Sequence, residues 1–368
     1  VVDFARFSLD FSVEESCGKC SPCRIGGRKM LNLLDKITQG KATMDDVEQI
    51  KLISDAMKKA SLCGLGQFTP QPALSTINYC LDEYKAHILE NRCPSGVCKS
   101  LVQYVINEKC IGCGLCARKC PVNCIKDACH RQCGLYQVRR MLHRLQVRRR
   151  GSQISGGNQE MAKMINCKIN GKDLQVEDGT TILAAAKKVQ MNIPTLCYHP
   201  DLPAWASCGI CVVKIEGSPK FFRACTTPIA EGNNIITHDP DIVAVRKNVL
   251  QLIMSNHPNE CLYCPRNGSC ELQKIAAEFG IREQPYASGV RRLPKDETSP
   301  AIVLDPYKCI QCGRCAKVCQ EMQNVWALEM LSRGDETRIA PAADVTLAES
   351  PCEKCGQGSA HFPVGAIY

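Results

Sequence analysis

Cysteine constrains this chain more than any other feature: 28 of its 368 residues, most in Cys-x-x-Cys and Cys-x-x-Cys-x-x-Cys runs. Thiols two residues apart are too close for an ordinary network of structural disulfides, whereas that spacing suits metal or cluster ligation. No hydrophobic signal segment opens the chain and its longest apolar runs are too short to span a bilayer. The expected compartment is therefore reducing and cytoplasmic. Ligation also revises the charge. The formal +9 falls as each four-thiolate cluster brings a net charge of about −2. Little basic excess is left for a nucleic-acid surface.

Five constellations and one smaller group carry the chemistry. Cys17, Cys20 and Cys23 share one tight loop, with Cys63 beyond it. Three thiolates on a loop can hold three corners of a [4Fe–4S] cubane, and this pattern favours a cubane over zinc. Cys197, Cys208, Cys211 and Cys225 pair close ligands with distant ones, the logic of a [2Fe–2S] loop. His257, Cys261, Cys264 and Cys270 read as a cluster site with one imidazole ligand. Replacing a thiolate by imidazole removes a negative charge and raises the potential.

Cys309, Cys312, Cys315 and Cys319 form a bacterial ferredoxin run, and Cys110, Cys113, Cys116 and Cys120 form another. In two-cluster ferredoxins the fourth cysteine of each run serves the other cluster. The expected partner of the later run reads Cys352, Cys355, Gly358, Phe362, so two ligand positions are lost. By the crossed pattern Phe362 deprives the first cluster of a ligand and Gly358 the second, with His361 as a conceivable substitute. The earlier run has no partner at all. Cys124, Cys129 and Cys133 stand nearby at the wrong spacing. His87, Cys93 and Cys98 suggest a small zinc site, with Cys80 a candidate fourth ligand; the alternative is a surface histidine beside unpaired thiols.

Around these motifs the chain divides into a helical bundle (1–92), a partial ferredoxin-like module (93–125), a basic linker (126–160), a β-grasp [2Fe–2S] domain (161–238), a His/Cys cluster domain (239–300) and a degenerate two-cluster ferredoxin-like module (301–368). The fold class is α+β and multi-module. Apolar steps of three and four from Met30 to Ile88 predict helices, among them one running through Leu74, Ile77, Leu81, Tyr84 and Ile88. Gly40 is a stop signal, and Asp45 and Asp46 favour a helix start. The segment from Val1 reads as polar, without a domain cap, as in a chain that begins inside a longer polypeptide. Alternation around Asn170-Gly171 predicts a hairpin with a type I′ turn, followed by a helix over 181–189. Residues 241–257 predict another helix. Arg139, Arg140, Arg144 and Arg148–Arg150 give the linker a solvated basic face.

Glu15-Ser-Cys17-Gly-Lys-Cys20-Ser-Pro-Cys23-Arg24, with Cys63-Gly-Leu-Gly66, resembles the C-terminal part of the flavin- and NADH-binding subunit of complex I and its relatives. The added run at Cys110–Cys120 resembles the corresponding subunit of soluble NAD(P)-linked iron-only hydrogenases and of some NAD-dependent formate dehydrogenases. From Met161 or Met164 the order of sites is similar to the relay portion of the catalytic iron-only hydrogenase subunit and to the large iron–sulfur subunit of complex I.

The resemblance implies an electron relay between an NAD(P)H/flavin site and a hydrogen-activating site, working with other subunits. The alternatives are a relay in formate dehydrogenase or a complex I-like enzyme and, from another class, a zinc-stabilised interaction protein. FMN and NAD(P) would lie on regions absent from this chain or on partners, so no catalytic residue is expected here. A zinc site near His87–Cys98 is also implied. Residues 126–160 fall where a second ferredoxin run should stand, as a frame-shifted joint between two genes, or a natural fusion, would leave them.

Overall fold

The computed structural model describes residues 1–101 and 164–368. The run Cys110–Cys120, Cys124, Cys129, Cys133 and the basic stretch 126–160 lie outside them.

The first unit is helical. Its helices are α1 (Val2–Glu14), α2 (Ser21–Thr38), α3 (Met44–Ala60), α4 (Gly64–Phe68), α5 (Gln71–Tyr79) and α6 (Leu81–Leu89). Pro22 opens α2, where a missing amide hydrogen costs nothing. Gly40, at φ 69°, follows the end of α2. Thr43 and Asp46 form a reciprocal capping box on α3. Leu34, Ile37, Ile50, Ile53 and Met57 are fully buried between these helices. Each such side chain contributes about 1.5–3 kcal/mol.

Two expectations need correction. The opening segment is a helix rather than a polar tail: Val2, Ala5, Leu9 and Val13 are buried along one face of α1. The helix expected through Leu74 to Ile88 is two, because Cys80 leaves the helical region at φ −131°, ψ 37°.

The second unit carries a five-stranded mixed sheet in the order β2-β1-β5-β3-β4. Its strands are β1 (Met164–Ile169), β2 (Lys172–Glu177), β3 (Val212–Ile215), β4 (Phe221–Arg223) and β5 (Asn234–Ile236). Asn170 and Gly171 both have positive φ, 49° and 79°, as the expected type I′ turn requires. Helix α7 (Ile182–Lys188) is capped by the Thr181 hydroxyl, which accepts from the Ala184 amide at 3.3 Å. Its Ile182, Leu183 and Ala186 pack on Ile165, Ile169 and Val213 of the sheet.

Helix α8 (Pro240–Ser255) leaves the sheet and docks on α2 and α3. Asn248 donates to the Leu52 carbonyl at 2.7 Å, and Lys29 donates to the Ala287 carbonyl at 2.5 Å. One buried apolar cluster therefore runs from Leu34 and Ile53 through Val249 and Leu252 to Ile310 and Val364. The remaining chain adds α9 (Glu271–Glu278), α10 (Arg314–Lys317), the hairpin β6 (Leu328–Leu331) and β7 (Arg338–Pro341), and α11 (Gln357–His361). Among the described residues no helix is long and apolar enough to cross a membrane.

Candidate metal centres

Every cysteine among the described residues is a free thiol. Cys20 stands immediately before α2 and Cys23 in its first turn, while Cys63 precedes α4. The Cys23 thiol donates to Cys20, which is held well below the ordinary thiol range. Cys23 is pushed up by that same bond, by burial and by the charges of Cys20 and Cys63. Gly66 keeps the space open, since a Cβ there would lie 3.0 Å from the Cys23 Cβ. Cys17 and Cys63 are exposed.

Cys197, Cys208, Cys211 and Cys225 are all buried in the second unit. They form two thiol pairs, Cys197–Cys208 and Cys211–Cys225, each at 3.4 Å. The bond from Cys197 lowers Cys208 to about 5 despite its burial. Four buried thiols with no other side-chain partner strong enough to satisfy them suit a metal cluster rather than a dry core.

His257, Cys261, Cys264 and Cys270 line one cavity of about 650 Å³. Burial, and then the Lys308 charge, depress His257 to about 4, so the imidazole is neutral at physiological pH. Its Nδ1 is buried without a hydrogen-bond partner. A neutral imidazole with an orphaned nitrogen beside three thiols is the donor set a cluster needs. Gly365 keeps the cavity wall clear, because a Cβ there would overlap Cys264 Sγ.

Cys309, Cys312 and Cys315 are all buried, the first two on a loop turned by Gln311 and Gly313, at φ 50° and 78°, and Cys315 in the helix α10 that follows it. Burial first, and then the Cys309 charge, push Cys312 up to about 12. Cys315 also lines a second cavity, with Cys319, Cys352, Cys355 and Gly358. Phe362 is buried. His361 turns elsewhere, towards Asp201 and His199.

His87, Cys93 and Cys98 hold their ligand atoms within 4.8 Å of one another. His87 Nδ1 is 2.7 Å from the Glu83 carbonyl, which turns Nε2 towards Cys98 Sγ at 3.4 Å. Metal-ligating imidazoles are commonly oriented in this way, through a carbonyl on the other ring nitrogen. Cys80 is not part of this group.

A residue with no sequence signal ties the sites together. The Ser207 hydroxyl lies 2.9 Å from the Lys19 carbonyl and 2.9 Å from the Gln311 carbonyl. Its own carbonyl accepts from the Ser21 amide at 3.0 Å. The loops of the first, second and fourth constellations thus meet at one buried serine. Arg24 strengthens the junction, donating to the Gly18 carbonyl at 2.6 Å and to Gln311 Oε1 at 3.1 Å. Arg223 donates to the carbonyls of Ala206 and Ala60. Lys19 lies over the Trp205 ring at 4.4 Å. Arg314, buried, forms a forked pair with Glu271 at 2.6 and 2.8 Å and reaches the Tyr198 carbonyl at 2.9 Å. Hydrogen bonds of this charged kind are worth about 1.5–3 kcal/mol each.

Comparison with known proteins matches several separate stretches of the chain. Residues 3–87 match the NADH-ubiquinone oxidoreductase-F iron–sulfur binding region. Residues 162–240 match a 2Fe-2S iron–sulfur cluster binding domain, and 246–285 the NADH-ubiquinone oxidoreductase-G iron–sulfur binding region. Residues 104–126 and 302–321 match a 4Fe-4S binding domain. The chain is 40% identical over 210 residues to the NADP-reducing hydrogenase subunit HndD of Solidesulfovibrio fructosivorans, covering 55% of this chain and 36% of that one. It is 49% identical over 126 residues to HndC, another subunit from the same organism, covering 34% and 26%. It is 36% identical over 206 residues to a G-type NADH-quinone oxidoreductase subunit of Rhizobium meliloti, covering 55% and 24%. The chain thus spans about a third or less of the length of these relatives. Among solved structures, a chain of the NAD+-reducing [NiFe]-hydrogenase in its H2-reduced state matches with a TM-score of 0.53 and 25% identity, over 55% of this chain and 86% of that one. An F-type [4Fe–4S] region is joined here to a G-type [2Fe–2S] and [4Fe–4S] relay.

Proposed function

We propose that this iron–sulfur relay, F-type at one end and G-type at the other, connects an NAD(P)H/flavin site to a hydrogen-activating site in an NAD(P)-reducing iron-only hydrogenase of the cytoplasm. FMN, NAD(P) and the hydrogen chemistry belong to regions beyond this chain or to partner subunits. The residues proposed as ligands are Cys17, Cys20, Cys23 and Cys63 for a [4Fe–4S] cluster and Cys197, Cys208, Cys211 and Cys225 for the [2Fe–2S] cluster. His257, Cys261, Cys264 and Cys270 would hold a second [4Fe–4S] cluster. The run Cys110, Cys113, Cys116 and Cys120 and the later module serve the ferredoxin-like positions, and His87, Cys93 and Cys98 take zinc. Bound clusters supply one-electron transfer at potentials set by ligand type, hydrogen bonding and burial.

The observation that carries this reading is the meeting of three ligand loops at Ser207. Arg24, Arg223 and Ser207 hold those loops in one rigid junction, so the spacing of the sites is fixed by the fold rather than by ligands alone. A buried apolar cluster runs through the same region. The two parts resemble two subunits of one NADP-reducing hydrogenase, which supports the hydrogenase branch. The likeness to an NADH-quinone oxidoreductase subunit keeps a complex I-like relay as the second reading, and a formate dehydrogenase relay shares the same chemistry.

The test is anaerobic reconstitution of the chain with flavin-bearing and hydrogen-activating subunits. Hydrogen should bleach the visible absorbance of this chain, and NADP+ should restore it. Bleaching by formate or NADH, with none by hydrogen, would contradict the hydrogenase assignment.

A further inference from the structure

The loop that carries Cys197 and the last helix of the chain meet in a group of side chains that the relay does not use. We propose that His199, Asp201 and His361 bind a divalent transition-metal ion of the zinc class, which ties the [2Fe–2S] loop to the C-terminal module.

Local structure puts two of the three side by side. His199-Pro200-Asp201-Leu202 is a β-turn closed by the Leu202 amide, which donates to the His199 carbonyl at 3.2 Å. Proline at the second position of such a turn presets its φ. His199 Nδ1 consequently stands 3.5 Å from Asp201 Oδ2. The third residue comes from the C-terminal module, where His361 ends α11. Its Nε2 is 3.8 Å from the same carboxylate oxygen, and the two imidazole rings lie edge to face with centroids 4.5 Å apart. One ligand atom from each residue lies within 4.8 Å of the other two.

Three features favour a metal over a plain ion pair. Both separations from the carboxylate exceed the usual hydrogen-bond range of about 2.7–3.2 Å. Two ligands on a tetrahedral zinc stand about 3.3–3.5 Å apart, given bonds of about 2.0–2.2 Å. The second feature is the direction of the lone pairs. His361 Nδ1 is 2.9 Å from the Gln357 carbonyl, which can only accept, so Nδ1 holds the hydrogen and the neutral ring keeps its lone pair on Nε2. At His199 the Asp201 amide donates to Nδ1 at 3.4 Å, which puts that lone pair on Nδ1; a bond so long is readily exchanged for a metal. Two lone pairs and a carboxylate oxygen facing one another need a cation between them. A proton joins one pair, whereas a metal joins all three. The third feature is Arg314, which donates to the His361 carbonyl at 3.2 Å and the Tyr198 carbonyl at 2.9 Å. It holds both ligand-bearing segments in place before an ion arrives. Its own charge is taken up by the forked pair with Glu271, so it does not oppose a second cation. With nitrogen and oxygen donors alone, the group suits a single ion rather than an iron–sulfur cluster. Asp201 is 61% exposed, which gives the ion a way in and leaves room for water as a further ligand.

The test is zinc binding to the full chain with its clusters assembled. Wild type, Asp201→Ala and His361→Gln are dialysed anaerobically against zinc buffered in the low micromolar range, and zinc and iron per chain are then measured. Asp201 is on the surface, so its alanine variant folds. Each variant should retain about one zinc fewer per chain than wild type, at the same iron content. Titration should show the affinity of that site falling by at least the factor of about 10 to 100 that loss of an outer-shell partner costs. Zinc held at His87, Cys93 and Cys98 is common to all three proteins and cancels in the difference. Equal zinc in the three proteins, or a difference that appears only at millimolar zinc, would overturn the proposal. Neither result touches the hydrogenase assignment, which is read from reduction by hydrogen.

Discussion

Gly209 offers the sharpest test of the junction between the ligand loops. It lies between Cys208 and Cys211 at φ 77°, and a Cβ there would stand 3.0 Å from Pro22 Cγ and 3.2 Å from the Ala60 carbonyl oxygen. Pro22 belongs to the first turn of α2, and the Ala60 carbonyl is held by Arg223, so neither neighbour retreats easily. The left-handed conformation costs an alanine about 1–2 kcal/mol, and forced overpacking adds about 1–3 kcal/mol. Gly217 is the matched control. Its φ is 81° with nothing within 4 Å of an added Cβ, so Gly217→Ala carries the conformational cost alone. The difference between Gly209→Ala and Gly217→Ala is therefore about 1–3 kcal/mol. Expressed in the unfolding rate, that is about 5- to 150-fold faster loss of the visible cluster absorbance in guanidinium under argon. Rates within about twofold of each other would refute the packing argument.

Three further outcomes follow from the sites. His257→Cys should retain its four irons, and the added negative charge should lower that cluster's potential in a redox titration; loss of the irons would remove His257 from the ligand set. Cys98→Ser should lose one zinc per chain while the iron content stays the same, as metal analysis would show. Lys29 is lowered by burial from 10.5 to about 8. The unfolded chain then binds a proton between pH 8 and 10.5 that the folded chain does not. Wild type should accordingly gain stability relative to Lys29→Met as pH rises through that window; a constant difference in unfolding rate between the two would contradict the buried cation.

The iron–sulfur character of the chain was legible because cluster chemistry imposes cysteine spacing. Cys208-x-x-Cys211 and Cys261-x-x-Cys264 must sit on tight loops wherever they fold, and the hairpin at Asn170-Gly171 is dictated by backbone conformation. Helix α1 was not legible. Phe4, Phe7 and Phe11 form an exposed apolar stripe beside the buried one of Val2, Ala5, Leu9 and Val13, so neither stands out as a single face. The break at Cys80 interrupts an unbroken apolar period, which reports burial and not continuity of the helix. The junction was beyond reach for a different reason. Ser207 bonds to Lys19 and Gln311 across 188 and 104 residues, and no local pattern encodes such a meeting. His361 shows the same limit, since its direction is set by the Gln357 carbonyl and not by its place in the motif.

Iron and acid-labile sulfide per chain, measured with the visible spectrum after anaerobic reconstitution, test the central claim most directly. Cys17 to Cys63, Cys197 to Cys225 and His257 to Cys270 together predict at least about ten irons in a brown protein. A colourless protein with iron near zero and zinc in its place would contradict it.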